Sequence, residues 1–364
     1  YIENTARKLS ENGIERFSKM IIPKNSLIVT CIGSDMGKVV INKNDCLTNQ
    51  QINSLIVNQN YDVNFVYYKL KDSYSLLRSR ADGGSTMPIL NKSNFESLQF
   101  LFPPLPEQQA IASVLSAFDD KIELLREQNK ILEEMGQVIF HEWFGKYGVD
   151  DELPEGWRVF ELSEIVDIIN GYAYKGSDLV EDSKTALVTL KSFDRNGGFQ
   201  TRGFKPFIGN PKETQEVKIG DLVVAHTDLT QDAEVLGNPA FIFDDGGFKK
   251  MFITMDLVKV ISKDENITNA FLYYLMKTKE FKGHCVGYAN GTTVLHLSKK
   301  AIPEYQIALP NDFGVLSDVS LLLKETTDKI ADINSQIQTL ANTRDEILPK
   351  LMSGMLRVND FSNN

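Results

Sequence analysis

Histidine, cysteine and carboxylate side chains are where chemistry would begin, and their spacing supports none. His141, His226, His284 and His296 stand in separate contexts without HExxH spacing, and Cys31, Cys46 and Cys285 lie far apart with no CxxC pair. Neither a zinc site nor a disulfide framework is expected, and the three thiols suit a reducing, cytoplasmic compartment. No GxxxxGK loop ending in Ser or Thr is present to cradle ATP, and no GxGxxG follows a strand. No strand carries paired carboxylates followed by a lysine, as a metal-dependent nuclease would require. Together these absences favour a binding protein over an enzyme, with no metal and no cofactor of its own.

Asn238-Pro239-Ala240-Phe241 comes nearest to a catalytic motif. It resembles the Asn-Pro-Pro-aromatic segment of adenine methyltransferases, whose amide and prolyl carbonyl hold the target amino group. Here alanine replaces the second proline, and no glycine-rich loop for S-adenosylmethionine precedes it, so it reads as a turn into a strand. The net charge of −10 argues against a general nucleic-acid coat. The charges are nevertheless segregated. Asp150–Asp182 is strongly acidic, whereas Lys184–Lys218, Val63–Lys92 and Leu275–Lys300 each carry an excess of Lys and Arg. Three local phosphate-facing surfaces are therefore compatible with an acidic whole.

The elements that would position such surfaces follow from periodicity and turn residues. Short strands are expected at Ser26–Thr30, Lys38–Ile41 and Ile52–Val57, a helix at Phe65–Arg80, and a strand at Phe95–Phe102. After a turn-rich linker, Gly145–Gly156, strands are expected at Ala186–Leu190, Asp221–Ala225, Ala240–Phe243, Thr254–Val260 and Glu304–Leu309, with a helix at Phe271–Lys282. No run approaches the ~18 apolar residues of a membrane span.

Two long helices dominate the pattern. The first starts at Pro103-Pro104-Leu105-Pro106, with Pro106 in the first turn. Its seam is Ile111, Leu115, Phe118, Ile122, Leu125, Asn129, Leu132, Gly136, Ile139 and Trp143. The second starts near Gly314 and carries Leu316, Val319, Leu323, Thr326, Ile330, Ile333, Ile337, Leu340, Arg344, Ile347 and Leu351, ending at Pro349 and Gly354. At ~1.5 Å per residue each is a rod of roughly 55–60 Å. A heptad seam of that length needs a partner as long as itself, so the two are expected to pair antiparallel, with Asn129, Thr326 and Arg344 fixing register.

The two halves also repeat. Phe65-Val66-Tyr67-Tyr68 matches Phe271-Leu272-Tyr273-Tyr274, Gly84-Ser85-Thr86 matches Gly291-Thr292-Thr293, and Asn25–Val29 resembles Gly220–Val224. The expected fold is therefore α+β: two homologous mixed α/β domains joined by two long helices in an antiparallel coiled-coil stalk with a pseudo-twofold axis. The boundaries are 1–103 for the first domain, 104–148 for the central helix and linker, 149–312 for the second domain, 313–356 for the terminal helix and 357–364 for a tail. The first copy, which opens on Tyr1, is shorter at its start than the second and is expected to lack part of its beginning.

Pro103–Ile122 (PPLPEQQAIASVLSAFDDKI), His141–Phe144 (HEWF), Leu153–Tyr174 (LPEGWRVFELSEIVDIINGYAY) and Ile347–Gly354 (ILPKLMSG) together resemble the specificity subunit of type I restriction–modification systems. The second junction, Leu309-Pro310-Asn311-Asp312-Phe313, departs from the pattern by lacking the Glu-Gln pair. The resemblance implies a non-catalytic, cytoplasmic DNA reader, with each domain reading one half of a bipartite double-stranded target and the stalk setting the spacer. It implies two modification subunits that bind S-adenosylmethionine and methylate adenine, and two restriction subunits that can add ATP-driven translocation and cleavage. No membrane is involved. A coiled-coil adaptor with protein-binding globules, and an autonomous DNA methyltransferase or nuclease, are the alternatives.

Base readout needs long donors and amides projecting from loops. In the second domain the candidates are Lys191, Arg195, Arg202 and Lys205 around Gly197-Gly198, with Thr227, Gln231, Asn290, Thr292, Thr293 and His296. In the first they are Ser34, Lys38, Arg78, Arg80, Ser85 and Thr86.

Overall fold

The computed structural model describes residues 1–5, 7–82, 88–193 and 198–358. The chain forms two compact units, Tyr1–Leu124 with the stretch from Gln338 onward, and Leu125–Ile337. Both long helices, Leu105–Phe144 and Ser317–Met352, contribute to each unit.

In the first unit, β1 (Leu27–Thr30) lies between β2 (Val39–Ile41) and β3 (Ile52–Leu55), all antiparallel. Leu27, Val29, Val39 and Ile41 form a core with Leu70 and Leu77 from the helices Val63–Asp72 and Tyr74–Ser79. The single helix expected at Phe65–Arg80 is thus two, broken at Ser73, and it starts earlier because Asp62 Oδ1 accepts from Phe65 N at 2.8 Å. The strand expected at Phe95–Phe102 does not form. Asn91 caps a short helix, Lys92–Glu96, and Phe100 and Phe102 then pack on the core without pairing in a sheet. Alternating aromatics buried in an unpaired segment give the same pattern as a strand.

The Glu-Gln junction has a mechanical reason. Gln108 is 2% exposed; its Nε2 donates to Pro103 O at 2.8 Å and its Oε1 accepts from Asp62 N at 3.0 Å. It ties the start of the long helix to the start of the aromatic helix. At the second junction Asp312 instead caps a 3-10 turn, Phe313–Leu316, by accepting from Gly314 N at 2.9 Å.

In the second unit, β4 (Trp157–Glu161) pairs with β16 (Gln306–Pro310). One four-stranded sheet runs in the order β11 (Pro239–Phe241), β9 (Leu222–Ala225), β13 (Leu257–Ser262), β5 (Val166–Asn170), all antiparallel. A second runs β7 (Lys205–Pro206), β6 (Thr185–Val188), β12 (Lys250–Ile253), β8 (Glu216–Val217), with β6 and β12 parallel. The strand expected at Thr254–Val260 is therefore the turn between β12 and β13 plus most of β13. The helix expected at Phe271–Lys282 is two, Asn269–Met276 and Lys279–Gly287, because Thr278 caps a new start by accepting from Phe281 N at 3.2 Å. A small sheet, β10 (Thr227–Asp228), β15 (Leu295–Leu297) and β14 (Ala289–Asn290), completes the unit.

The long helices pair antiparallel within each unit. Ile111, Ala112 and Leu115 share a core with Leu348 and Leu351 in the first. Phe140 and Phe144 share one with Leu316, Val319 and Leu323 in the second. Ile122, Leu125, Ile330 and Ile333 are buried, while Phe118, Leu132, Ile337, Leu340 and Ile347 are half-buried. The seam shifts where it meets other elements. Trp143 is 54% exposed and Ile139 half-buried; Phe140 and Phe144 face inward instead, packing edge-on against Phe271. One turn earlier, an added Cβ on Gly136 would lie 2.1 Å from Tyr274 Cζ, so only glycine admits that ring. Thr327, not Thr326, is buried, and the Thr326 hydroxyl donates within its own helix to Leu322 O. Asn129 Nδ2 donates to Asn334 Oδ1 at 2.9 Å, and Arg344 ion-pairs with Asp119, so these two polar positions do bridge the helices. Pro349 lies inside the last turns of the second helix rather than ending it; Gly354, with φ 73°, closes it.

Candidate nucleic-acid interface

In the first unit, the loop between β1 and β2 carries Ser34 and Lys38, both exposed. Arg78 Nη1 donates to Ser34 O at 3.0 Å and to Met36 O at 3.3 Å, and its guanidinium stacks over Tyr74. Arg78, a half-buried candidate, is thus engaged in holding this loop. Lys38 pairs with Asp35 at 2.8 Å at the surface, a weak contact that a phosphate can replace. Arg80 is exposed at the end of its helix. Ser85 and Thr86 fall outside the described residues.

In the second unit, the segments around Lys191 and Arg202 are pinned together. Thr189 Oγ1 donates to Gly203 O at 2.8 Å and Gln200 Nε2 to Lys191 O at 2.9 Å, and both charged side chains are exposed. A Cβ on Gly203 would meet Ser192 N at 2.2 Å, so only glycine permits this approach. Lys205 lies over the Tyr174 ring. Arg195 falls outside the described residues.

A second group converges on the small sheet. His296 sits opposite Thr227 on one side and Asn290 on the other. Gln231 Nε2 donates to Thr292 O at 2.7 Å, which joins the loop after β10 to the loop between β14 and β15. Gln231, Asn290, Thr292, Thr293 and His296 are exposed. Thr227 is not; it is 4% exposed and its hydroxyl donates to Asp256 Oδ1 at 3.0 Å, so it supports the sheet and cannot reach DNA. No hydrogen bond or ion pair among the described residues links this group to Lys191, Arg202 and Lys205.

The devices that hold the loop 228–238 escaped sequence reasoning. Asp228 is buried, and its Oδ2 accepts from Val235 N at 2.6 Å and Leu236 N at 3.2 Å. Burial alone would raise its pKa, but these N–H groups and Thr230 outweigh it and hold the carboxyl below the usual value. From the other side Lys282 Nζ donates to Ala233 O, Leu236 O and Asn238 Oδ1 at 2.6–2.8 Å. Burial pushes the Lys282 pKa down, against the opposing charge of the Asp228 carboxylate. Asn238 is thereby a loop anchor leading into β11, as the turn reading expected. Only the Asp-x-Thr turn signal at Asp228–Thr230 pointed to any of this.

His226, beside Thr227, lines a cavity of about 210 Å³ with Asn170, Ser298 and Lys299. Burial, then the charges of His296 and Lys299, lower its pKa against the opposing charge of Asp256. Among the described residues no three His, Cys, Asp or Glu side chains gather to hold a metal, and no helix is long and apolar enough to cross a membrane. The exposed groups offer hydrogen bonds, positive charge and apolar contact.

The chain is similar to known proteins over most of its length. The chain is 28% identical to the type I restriction enzyme MjaIX specificity subunit of Methanocaldococcus jannaschii over 99% of this chain and 84% of that one. It is 27% identical to the MjaVIII specificity subunit of the same organism, covering 94% of this chain and 82% of the relative. The crystal structure of the type I restriction–modification S subunit from M. genitalium superposes with a TM-score of 0.55 at 20% identity, over 92% of this chain and 84% of that one, which shows a shared fold. The type I restriction modification DNA specificity domain matches residues 1–134 and 154–314, and the chain belongs to that family.

Proposed function

We propose that this chain is the DNA-recognition subunit of a type I restriction–modification complex, reading a bipartite target with one half-site per unit. The observation that carries the proposal is the family match over both halves of the chain, each half holding exposed polar loops on a buried scaffold. The subunit itself is non-catalytic. Two modification subunits bring S-adenosylmethionine and methylate adenine, two restriction subunits bring ATP-driven translocation and cleavage, and the complex works in the cytoplasm. The paired helices set the unspecified spacer between half-sites. Phosphate contacts shared with partner subunits account for a net charge of −10 on a DNA reader.

The test is to assemble the chain with its modification subunits and map methylated adenines on plasmid DNA. A split motif with fixed spacing is expected, and removing one heptad from both helices should change the spacing while leaving the half-sites unchanged. Methylation without a split motif, or S-adenosylmethionine binding by the chain alone, would refute the proposal.

A further inference from the structure

We propose that Leu229 and Gln231 form a base-reading tip of the second unit and recognise one A·T pair from the major groove; this rests on the DNA-recognition function above. Leu229 is 68% exposed, although the apolar residues that follow it in the same loop, Val235 and Leu236, are buried. It cannot simply turn inward. Asp228 Oδ1 accepts from both Thr230 N and Thr230 Oγ1 at 2.8 Å and fixes the near side of the loop, while its other oxygen and Lys282 fix the far side. Ala233 is held at φ 52°, a conformation alanine keeps only when its surroundings impose it. The loop is thus preorganised, with a leucine at its surface.

Two residues on, the Gln231 amide is oriented by its bond to Thr292 O, and Oε1 and one N–H make no other hydrogen bond among the described residues. Adenine presents an N6 donor and an N7 acceptor in the major groove, which an amide can match with one oxygen and one N–H. The paired thymine presents a methyl group, which an apolar side chain contacts. A G·C pair fits poorly: guanine O6 would face the amide oxygen, and cytosine offers no methyl to the leucine. Asp232, exposed beside Gln231, has only acceptors and repels phosphate, which favours seating the tip on base edges over the backbone.

The experiment uses the full chain assembled with its modification subunits, on a plasmid library randomised across the wild-type methylation motif. Leu229→Ala removes an exposed side chain, and thermal unfolding should match wild type; Gln231→Ala also removes the bond to Thr292 O and should lower the unfolding temperature slightly while leaving the chain folded. Both substitutions should relax the preference for A·T at one shared position of one half-site, by roughly 5- to 100-fold, and leave the other half-site intact. Relaxation at different half-sites, or a uniform fall in methylation with an unchanged motif, would overturn the tip. A wild-type complex with no split motif would overturn the recognition function itself, and the tip with it.

Discussion

Each unit seats an aromatic helix on the long helices, and the two do so with different electrostatics. In the first unit Tyr68 Oη donates to Asp119 Oδ2 at 2.6 Å, and Asp119 also ion-pairs with Arg344, whose guanidinium reaches Asp345 at 2.7 Å. In the second unit Tyr274, the counterpart of Tyr68 in the repeat, packs on Gly136 and its buried hydroxyl has no hydrogen-bond partner among the described residues. The neighbouring Tyr273 donates to Glu133 Oε1 at 2.8 Å, and Lys277 Nζ holds Glu133 Oε2 at 2.7 Å. Burial raises the pKa of both Tyr68 and Tyr274; Asp119 adds to it by hydrogen bond and charge in one, Glu133 by charge alone in the other. The repeated Phe-x-Tyr-Tyr keeps the apolar docking because ring volume must fill the same space. The acid is free to migrate, since a carboxylate and a cation satisfy a tyrosine from any position within reach.

The largest expected effect comes from Asp119→Ala. It leaves the Arg344 side chain, 14% exposed, without its main counter-ion and Tyr68 without an acceptor. Arg344 keeps Asp345 and Asp119 is 23% exposed, so the loss should fall at or below the low end of the range for a buried pair, at about 2–3 kcal/mol. Glu133→Ala in the second unit should cost less, about 1–2 kcal/mol, because Lys277 is 26% exposed and can turn to solvent. Urea unfolding of both variants tests this, and equal losses would mean that the two clamps are energetically the same.

The periodic features were legible in the sequence because their signal accumulates over many turns: both long helices, their antiparallel pairing and the duplication. What failed was local. Gly136 stands as one more seam position in the heptad count, whereas it admits Tyr274, a residue 138 positions away. The shift to Phe140 and Phe144 accompanies that contact and has no trace in the heptad count. Among candidate DNA contacts, exposure separated Gln231, Asn290 and His296 from the buried Thr227, which an alternating strand pattern too short to register had left equivalent. The loop 228–238 was unreadable for the same reason, since its anchor Lys282 lies two helices downstream.

A smaller and sharper contrast comes from removing single hydroxyls. Tyr68→Phe deprives the Asp119 carboxylate of a donor, and hydrogen bonds to charged groups contribute about 1.5–3 kcal/mol. Tyr274→Phe deletes a hydroxyl that has no partner, so stability should be unchanged or rise slightly. Thermal unfolding of the two variants side by side reads the difference. A comparable loss at both positions would show that Tyr274 gains an acceptor in solution and that the asymmetry between the units is false.

The reading loops invite a last contrast, through pH. In the first unit the loop after β1 is held by the Arg78 guanidinium, which keeps its charge in acid. In the second the loop after β10 is held by the Asp228 carboxylate, whose pKa lies below the ordinary 3.8 because its backbone partners outweigh burial. With the folded value below the unfolded one, this stabilisation is fully present above the unfolded pKa and is lost as pH falls through the folded value. Protonation weakens the acceptor that Val235 N and Leu236 N share, because the neutral carboxyl loses the charge-assisted part of both bonds. Hydrogen-exchange protection at those two amides should therefore fall in acid before protection at Gly37, whose N–H donates to Thr30 O in the first unit's loop. Asp228→Asn should loosen the loop at neutral pH, because an amide offers one accepting oxygen where the carboxylate offers two, so either the Thr230 side or the Val235–Leu236 side loses its acceptor. If both loops lost protection together in acid, the carboxylate would not be what distinguishes them, and the loss would belong to global unfolding.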